Sequence, residues 1–190
     1  MNKRDAIIKA ATKLFAVKGF NGTSVRKIAE EVALSVPGMF HYFPSKEEIL
    51  NEIVIKFMDD GYNQLMDIYN SDRTPIEKVE DVCKFYAEYY AGNKDLLTIL
   101  LTEGKSLSLE HRLIFIEKQR IYVKALKQLF TDLMDKGLIK SINPSVLTFM
   151  LFGMVHYTHK WYSTSKEISP DKLGKIFSEL FLRGLIKDNK

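Results

Sequence analysis

The chain has 190 residues, a formal net charge of +4 and 46% hydrophobic residues. That is enough apolar material for one ordinary domain, or for a small head joined to a larger body. A single cysteine, Cys83, excludes an intramolecular disulfide and a thiolate zinc cluster. No apolar run approaches the ~20 residues of a membrane span, and the start, Met-Asn-Lys-Arg-Asp-Ala, is charged where a signal segment would be apolar, so a cytoplasmic protein is expected.

Residues 4–18 place Ile7, Ala10, Ala11, Leu14 and Phe15 on one helical stripe, and Gly19 follows as a stop. Thr23 or Ser24 can cap a second helix whose buried side is Val25, Ile28, Ala29 and Val32. Ala33-Leu34-Ser35 turns the chain, and Ser35 can cap a short third helix that carries Phe40 and His41 and leads into Tyr42 and Phe43. A helix this short needs neighbours to hold it. Two short helices about a tight turn usually serve to push the second into the major groove of DNA.

Ser45, with Glu48 three residues on, fits a capping box opening a long helix from about Lys46 to Tyr69. Asp72-Arg73-Thr74-Pro75 breaks it. Helices are then expected at about Ile76–Ala91, Asn93–Leu101 and, after a loop containing Gly104, Leu109–Lys136 with Gly137 as its stop. Asn143-Pro144 starts another, to about Ser163, and Ser169-Pro170 starts the last, to about Lys187. About nine helices and no convincing strand define an all-α fold: an N-terminal three-helix head with a helix-turn-helix, and a C-terminal helical body. The expected division is a DNA-binding domain at 1–46 and a helical body at 47–190.

Charge is unevenly placed. Residues 1–29 hold Lys3, Arg4, Lys9, Lys13, Lys18, Arg26 and Lys27 against Asp5 alone, whereas residues 51–190 are nearly balanced. The basic excess sits beside the helix-turn-helix, where phosphate neutralisation would need it.

The stretch Arg4–Ile53 resembles the DNA-binding head of the TetR family of repressors. The matching residues are Ala10-Ala11-x-x-Leu14-Phe15, Gly19-Phe20, Thr23-Ser24-Val25-Arg26-x-Ile28-Ala29, Ser35, Phe40-His41-Tyr42-Phe43 and Ser45-Lys46-Glu47-Glu48. The resemblance implies phosphate contacts at Thr23, Ser24, Arg26 and Lys46, and aromatic contacts at His41 and Tyr42. Val36 stands where the family often has Lys, and Phe40 where it often has Tyr. Base readout is therefore expected to lean on Val36, Met39 and His41 and on DNA shape, with Ser35, Pro37 and Gly38 also in the DNA-binding set. Phe40, Phe43 and Ile28 are expected mainly in the core.

The same resemblance implies a homodimer on a pseudopalindromic operator, held by the last two helices. These are rich in Val146, Leu147, Phe149, Met150, Leu151, Phe152 and Met154, and in Leu173, Ile176, Phe177, Leu180, Phe181, Gly184 and Leu185. It places an effector pocket in the middle helices, with Phe57, Tyr86, Tyr89, Tyr90, Phe115, Tyr122, Phe149, Tyr157 and Trp161 as candidate lining. The run from Gly153-Met154 to Trp161-Tyr162 is similar to a segment of the FadR-type branch, which implies a fatty acyl-CoA effector. Arg112, Lys118, Arg120 and Lys160 would then meet the CoA phosphates. The expected function is a DNA-binding repressor released by a small hydrophobic effector.

His156 and His159 stand three apart on one helix, but no third ligand is evident and polar lining is the expected role. No phosphate loop or Ser/His/Asp or Cys/His constellation can be placed, so neither metal, cofactor nor catalytic residue is expected, and no enzyme. Two other readings stay open. One is a multidrug-sensing repressor of an efflux gene, with Glu88 or Glu103 meeting cationic ligands. The other is a helical small-molecule-binding protein without DNA activity.

Overall fold

The computed structural model describes residues 2–162 and 168–185. Helix α1 (Lys3–Lys18) starts at Asn2, whose side chain accepts from the Asp5 N–H at 2.8 Å, and stops at Gly19, φ +73°. Helix α2 (Val25–Glu31) is capped by Ser24 and α3 (Val36–Phe40) by Ser35, with Pro37 in the first turn of α3. Then come α4 (Lys46–Asn70), α5 (Pro75–Gly92), α6 (Lys94–Thr102), a 3-10 turn at Gly104–Ser106, α7 (Leu109–Asp135), α8 (Pro144–His156), α9 (Thr158–Trp161) and α10 (Pro170–Leu185). No strand is present among the described residues. The expected helix ends at Ser163 and Lys187 lie outside the described residues.

The single helix expected over 143–163 is interrupted at Tyr157. The Thr158 hydroxyl donates to the Val155 carbonyl at 2.6 Å, competing for an acceptor that a continuous helix would use. Counted as one interrupted helix, α8 and α9 leave nine α-helices among the described residues. The full capping box is at α5, not α4. Thr74 Oγ1 accepts from Glu77 N at 3.4 Å, and Glu77 Oε2 accepts from Thr74 N at 2.8 Å. At α4 only half of the box forms: Ser45 Oγ accepts from Glu48 N at 3.2 Å, while the Glu48 carboxylate faces His111 Nε2 at 3.4 Å.

The chain forms two compact units. One takes residues through Asp59 with Asp95–Lys118; the other takes Asp60–Lys94 and the residues from Gln119 onward. In the first unit Ile7, Ala11, Phe15, Phe20, Ile28, Ala29, Met39, Phe43, Ile49, Leu50 and Ile53 share one core with Ile99, Leu107 and Phe115. The three short helices of the head are thus held by packing, as their length requires. In the second unit α10 lies along α5. Gly174 allows that approach, since a Cβ there would stand 3.0 Å from the Lys84 carbonyl oxygen.

Candidate DNA-binding head and effector site

The turn between α2 and α3 is built on Ala29, whose carbonyl accepts from the N–H groups of Val32 at 3.2 Å and Leu34 at 3.0 Å. Ala33, between them, has φ +52°, a left-handed conformation that residues with a Cβ adopt at a cost. The turn aims α3 so that Met39 and Phe43, four residues apart, face the core at 1% exposure each. Pro37 and His41 are exposed, Phe40 is 48% exposed and Tyr42 36%, with Val36 and Gly38 half-buried. This presented surface is apolar and aromatic with one imidazole.

Several sequence-based expectations change here. Met39 is a core residue, because rotation of α3 spends that position on packing, and it has no surface to offer a base. Phe40, expected in the core, is turned outward by the same rotation. Thr23 is 1% exposed, and its hydroxyl lies against the Gly19 carbonyl at 2.9 Å and the Leu14 carbonyl at 3.3 Å, so it holds the loop and not a phosphate. Ser24 caps α2 by accepting from Lys27 N at 3.1 Å and remains exposed. Ser35 accepts from Gly38 N at 3.1 Å, and a Cβ on Gly38 would stand 3.1 Å from that Ser35 oxygen. Glycine at 38 therefore also protects the cap.

The basic side chains divide in the same way. Lys46 donates to the carbonyls of Phe20 and Thr23, both at 2.8 Å. Arg4 pairs with Glu52, donates to the Tyr42 carbonyl at 2.6 Å and lies 4.0 Å from the Phe43 ring centroid. It ties α1 to the end of the recognition segment and to α4. Arg26, with an 82% exposed side chain, reaches Glu30 at 3.1 Å, and Lys27 lies between Glu30 and Glu31. Lys3, Lys9, Lys13 and Lys18 are exposed. Against eight basic residues over 1–53 stand six acidic ones, so the head as a whole is only mildly basic.

The candidate effector residues separate into three groups. Phe57 and Phe115 are buried in the first unit, Phe115 with a ring carbon 2.9 Å from a Cβ placed on Gly104. Phe149, Tyr157 and Trp161 are 60%, 63% and 49% exposed. They point outward, as do Val146 and Met150 on α8 and Leu180 on α10, and are not pocket lining. Tyr86, Tyr89, Tyr90 and Tyr122 do come together, in the second unit. Tyr86 stacks on Tyr90 at 5.6 Å between centroids and meets Tyr122 at 5.7 Å; Tyr89 meets Tyr90 at 5.8 Å.

Phe152, expected on the dimerisation helices, and His156, for which polar lining is the expected role, complete this cluster. Phe152 reaches Tyr86 at 6.4 Å and Tyr122 at 6.2 Å, while His156 stacks on Phe152 at 4.8 Å and meets Tyr90 edge-on at 5.0 Å. Their four-residue spacing on α8 was the available signal. Tyr122 also meets Tyr62 of α4 at 6.2 Å, and a Cβ on Gly61 would stand 2.8 Å from the Tyr122 hydroxyl. Burial pushes the pKa of Tyr86, Tyr90 and Tyr122 up and that of His156 down to about 4, the latter helped by the nearby His159 charge. All four are uncharged at neutral pH. The Tyr86 hydroxyl and His156 Nε2 are buried without a well-formed hydrogen bond, although Tyr122 is close enough to influence the Tyr86 hydroxyl.

Of the residues implied for CoA phosphates, Lys118 pairs with Asp59, and Arg112, Arg120 and Lys160 are exposed. His159 Nδ1 lies 2.7 Å from the His156 carbonyl. No group of three metal-ligating side chains and no helix long and apolar enough to cross a membrane occurs among the described residues.

A three-helix head that presents the second helix of a helix-turn-helix, joined to an all-α body, defines a DNA-binding transcriptional regulator. Residues 7–53 match the profile of the bacterial regulatory proteins of the tetR family, and residues 72–185 match the tetracyclin repressor-like C-terminal domain. The chain belongs to the TetR family of DNA-binding regulatory proteins. The repressor KstR2 of Mycobacterium tuberculosis is 22% identical over 192 residues, covering 98% of this chain and 94% of that protein. The structure of KstR2, described as a ketosteroid transcriptional regulator, superposes with a TM-score of 0.92 at 20% identity over 98% of this chain and 96% of the other. The fatty acid metabolism regulator of Bacillus subtilis is 24% identical over 181 residues, 94% of this chain and 93% of that protein. AibR, solved with isovaleryl coenzyme A and operator DNA, has a TM-score of 0.84 at 24% identity, over 94% of this chain and 97% of the other.

Proposed function

We propose that this protein is a repressor that acts as a homodimer on a pseudopalindromic operator and is released by a fatty acyl-CoA. In this reading residues 1–46 bind DNA and residues 47–190 bind the effector and the second subunit. The outward display of Pro37, Phe40, His41 and Tyr42, with Met39 and Phe43 holding the segment from behind, is the observation that carries the DNA reading. Ser24, Arg26 and the exposed lysines of α1 position the phosphates, and the small polar content of α3 leaves DNA shape a large part of sequence choice.

One recognition helix makes too few contacts for regulatory affinity, and two on a twofold axis would read half-sites about 34 Å apart. The exposed apolar face of α8 to α10 supports the dimer. Val146, Phe149, Met150 and Leu180 are 49%, 60%, 52% and 61% exposed, and a Cβ at Gly153 or Gly184 would meet open space. Exposed large apolar side chains such as Val146, Phe149 and Met150, spaced along one face of α8, suit an association surface.

The effector class rests on the tyrosine-rich cluster of the second unit, on the ligand named for AibR, and on the fatty acid regulator among the relatives. Glu88 faces Lys84 at 4.0 Å and Glu103 accepts from Ser106 at 2.8 Å. Glu103 is thus engaged elsewhere, while Glu88 Oε1 is buried without a hydrogen bond. Helix α4 starts in the DNA-binding head and ends in the second unit, which suits it to carry the signal. A ligand shifts the balance only by its differential affinity for the two states.

Selection of DNA from a random pool, repeated with saturating acyl-CoA thioesters, tests this. A palindromic product that is lost with thioester supports the proposal. A non-palindromic product, or operator binding that tightens with thioester, overturns it.

A further inference from the structure

The second unit buries polar atoms of Tyr86, Glu88 and His156 without a well-formed hydrogen bond, and those of Tyr86 and His156 lie in the aromatic cluster. Tyr86 is 0% exposed, and its hydroxyl makes no well-formed hydrogen bond. His156 Nε2 is likewise buried and unpartnered. Native proteins satisfy nearly all such groups, so each exception calls for a reason. These two share their neighbours. Tyr90 lies 5.6 Å from Tyr86 and 5.0 Å from His156; Phe152 lies 6.4 Å from Tyr86 and 4.8 Å from His156.

We propose that Tyr86 and His156 are the polar end of the effector site and recognise an uncharged carbonyl oxygen on an apolar ligand. This rests on the effector reading above and names the chemistry that the site selects. A phenol hydroxyl can donate, and so can the Nε2–H tautomer of a neutral imidazole, while a carbonyl oxygen has two lone pairs to receive them. The surrounding side chains are phenols, a phenyl ring and a neutral imidazole. A carboxylate placed there would lose its hydration with no cation to replace it. The site therefore takes a thioester or a ketone and rejects the free acid.

The rings are in contact with one another, so a ligand enters by parting them. Tyr122 is the ring that must move, because it touches Tyr86 at 5.7 Å and Phe152 at 6.2 Å. Its far side rests on α4: the ring is 6.2 Å from Tyr62, and the hydroxyl abuts Gly61. Carbonyl capture at Tyr86 and His156 is thereby joined mechanically to α4 through one side chain.

The binding test uses the full chain without DNA, and operator affinity is then measured with the same five probes: palmitoyl-CoA, its S-hexadecyl thioether analogue without the carbonyl, palmitate, a steroid ketone and its deoxygenated hydrocarbon. Calorimetry is expected to show at least a tenfold preference for a carbonyl probe over its carbonyl-free partner. Tyr86→Phe and His156→Gln should each shrink that preference severalfold while leaving the carbonyl-free partner unchanged. The thioester and ketone arms separate the two sources of the carbonyl. As a readout free of variants, the His156 Nε2 NMR resonance of the wild type should shift with the carbonyl probe and not with its partner. Equal affinity for each pair, tighter binding of palmitate than of palmitoyl-CoA, or a preference untouched by both substitutions overturns the proposal. Carbonyl-dependent binding that leaves operator affinity unchanged would retain the site and overturn only the effector reading.

Discussion

The ammonium of Lys46 sits 4.0 Å from the centroid of the Phe20 ring while donating to the Phe20 carbonyl at 2.8 Å. One side chain thus grips both the ring and the backbone of the α1–α2 connection. With the Thr23 carbonyl also at 2.8 Å, two of its three donors are committed inside the head. Lys46→Met should lower stability by about 1–3 kcal/mol, the range for a charge-assisted bond plus a cation–π contact. It should change the salt slope of operator binding by much less than the ~1 expected for a lost phosphate contact. Thermal melts and a salt titration of operator affinity check both halves.

Ala33 holds the helix-turn-helix at φ +52° with a Cβ that disfavours it. Ala33→Gly should stabilise the protein by about 1 kcal/mol, raising the melting temperature by roughly 2–4 °C. Glycine also enlarges the freedom of the unfolded chain, which bounds the gain. An unchanged or lower melting temperature would show that the turn carries no strain.

Gly61 and Tyr122 form a tight pair, with the hydroxyl 2.8 Å from where a Cβ would stand. Gly61→Ala should cost about 1–3 kcal/mol by overpacking. Tyr122→Phe removes the colliding atom, so the double variant should recover part of that loss, with a coupling above about 0.5 kcal/mol. Denaturant unfolding of the four proteins of the cycle measures it. Strict additivity would place the strain elsewhere.

His156 titrates near pH 4 when folded, against about 6.5 in an unfolded chain. Between those values the unfolded chain holds a proton that the folded protein refuses. Its contribution to stability is therefore complete above pH 6.5 and is lost as pH falls toward 4, at up to about 1.4 kcal/mol per pH unit. Desolvation by the surrounding rings is the main cause and the charge of His159 adds to it. His156→Gln should flatten the difference in stability between pH 7 and pH 5 relative to the wild type, measured by urea unfolding. Equal slopes in the two proteins would mean that the imidazole is not desolvated.

The sequence by itself determined the all-α fold, the helix-turn-helix and nearly every helix boundary. Those signals are local: Gly19 and Gly137 take φ +73° and +68° as helix stops, and Ser24, Ser35 and Asn143 cap through atoms within three residues. Even so, the full box at Thr74 and Glu77 was read only as a break, and the one at Ser45 is half-formed because Glu48 turns to His111.

Only tertiary structure decided which way functional side chains face. The rotation of α3 sends Met39 inward and Phe40 outward, and the α1–α2 loop claims Thr23 and Lys46 for its own carbonyls. Residue type shows that a lysine or a tyrosine is present. Whether it meets DNA, ligand or its own backbone depends on groups dozens of positions away. Tyr86, Tyr122, Phe152 and His156 come from α5, α7 and α8, and only the packing of those helices makes them one cluster.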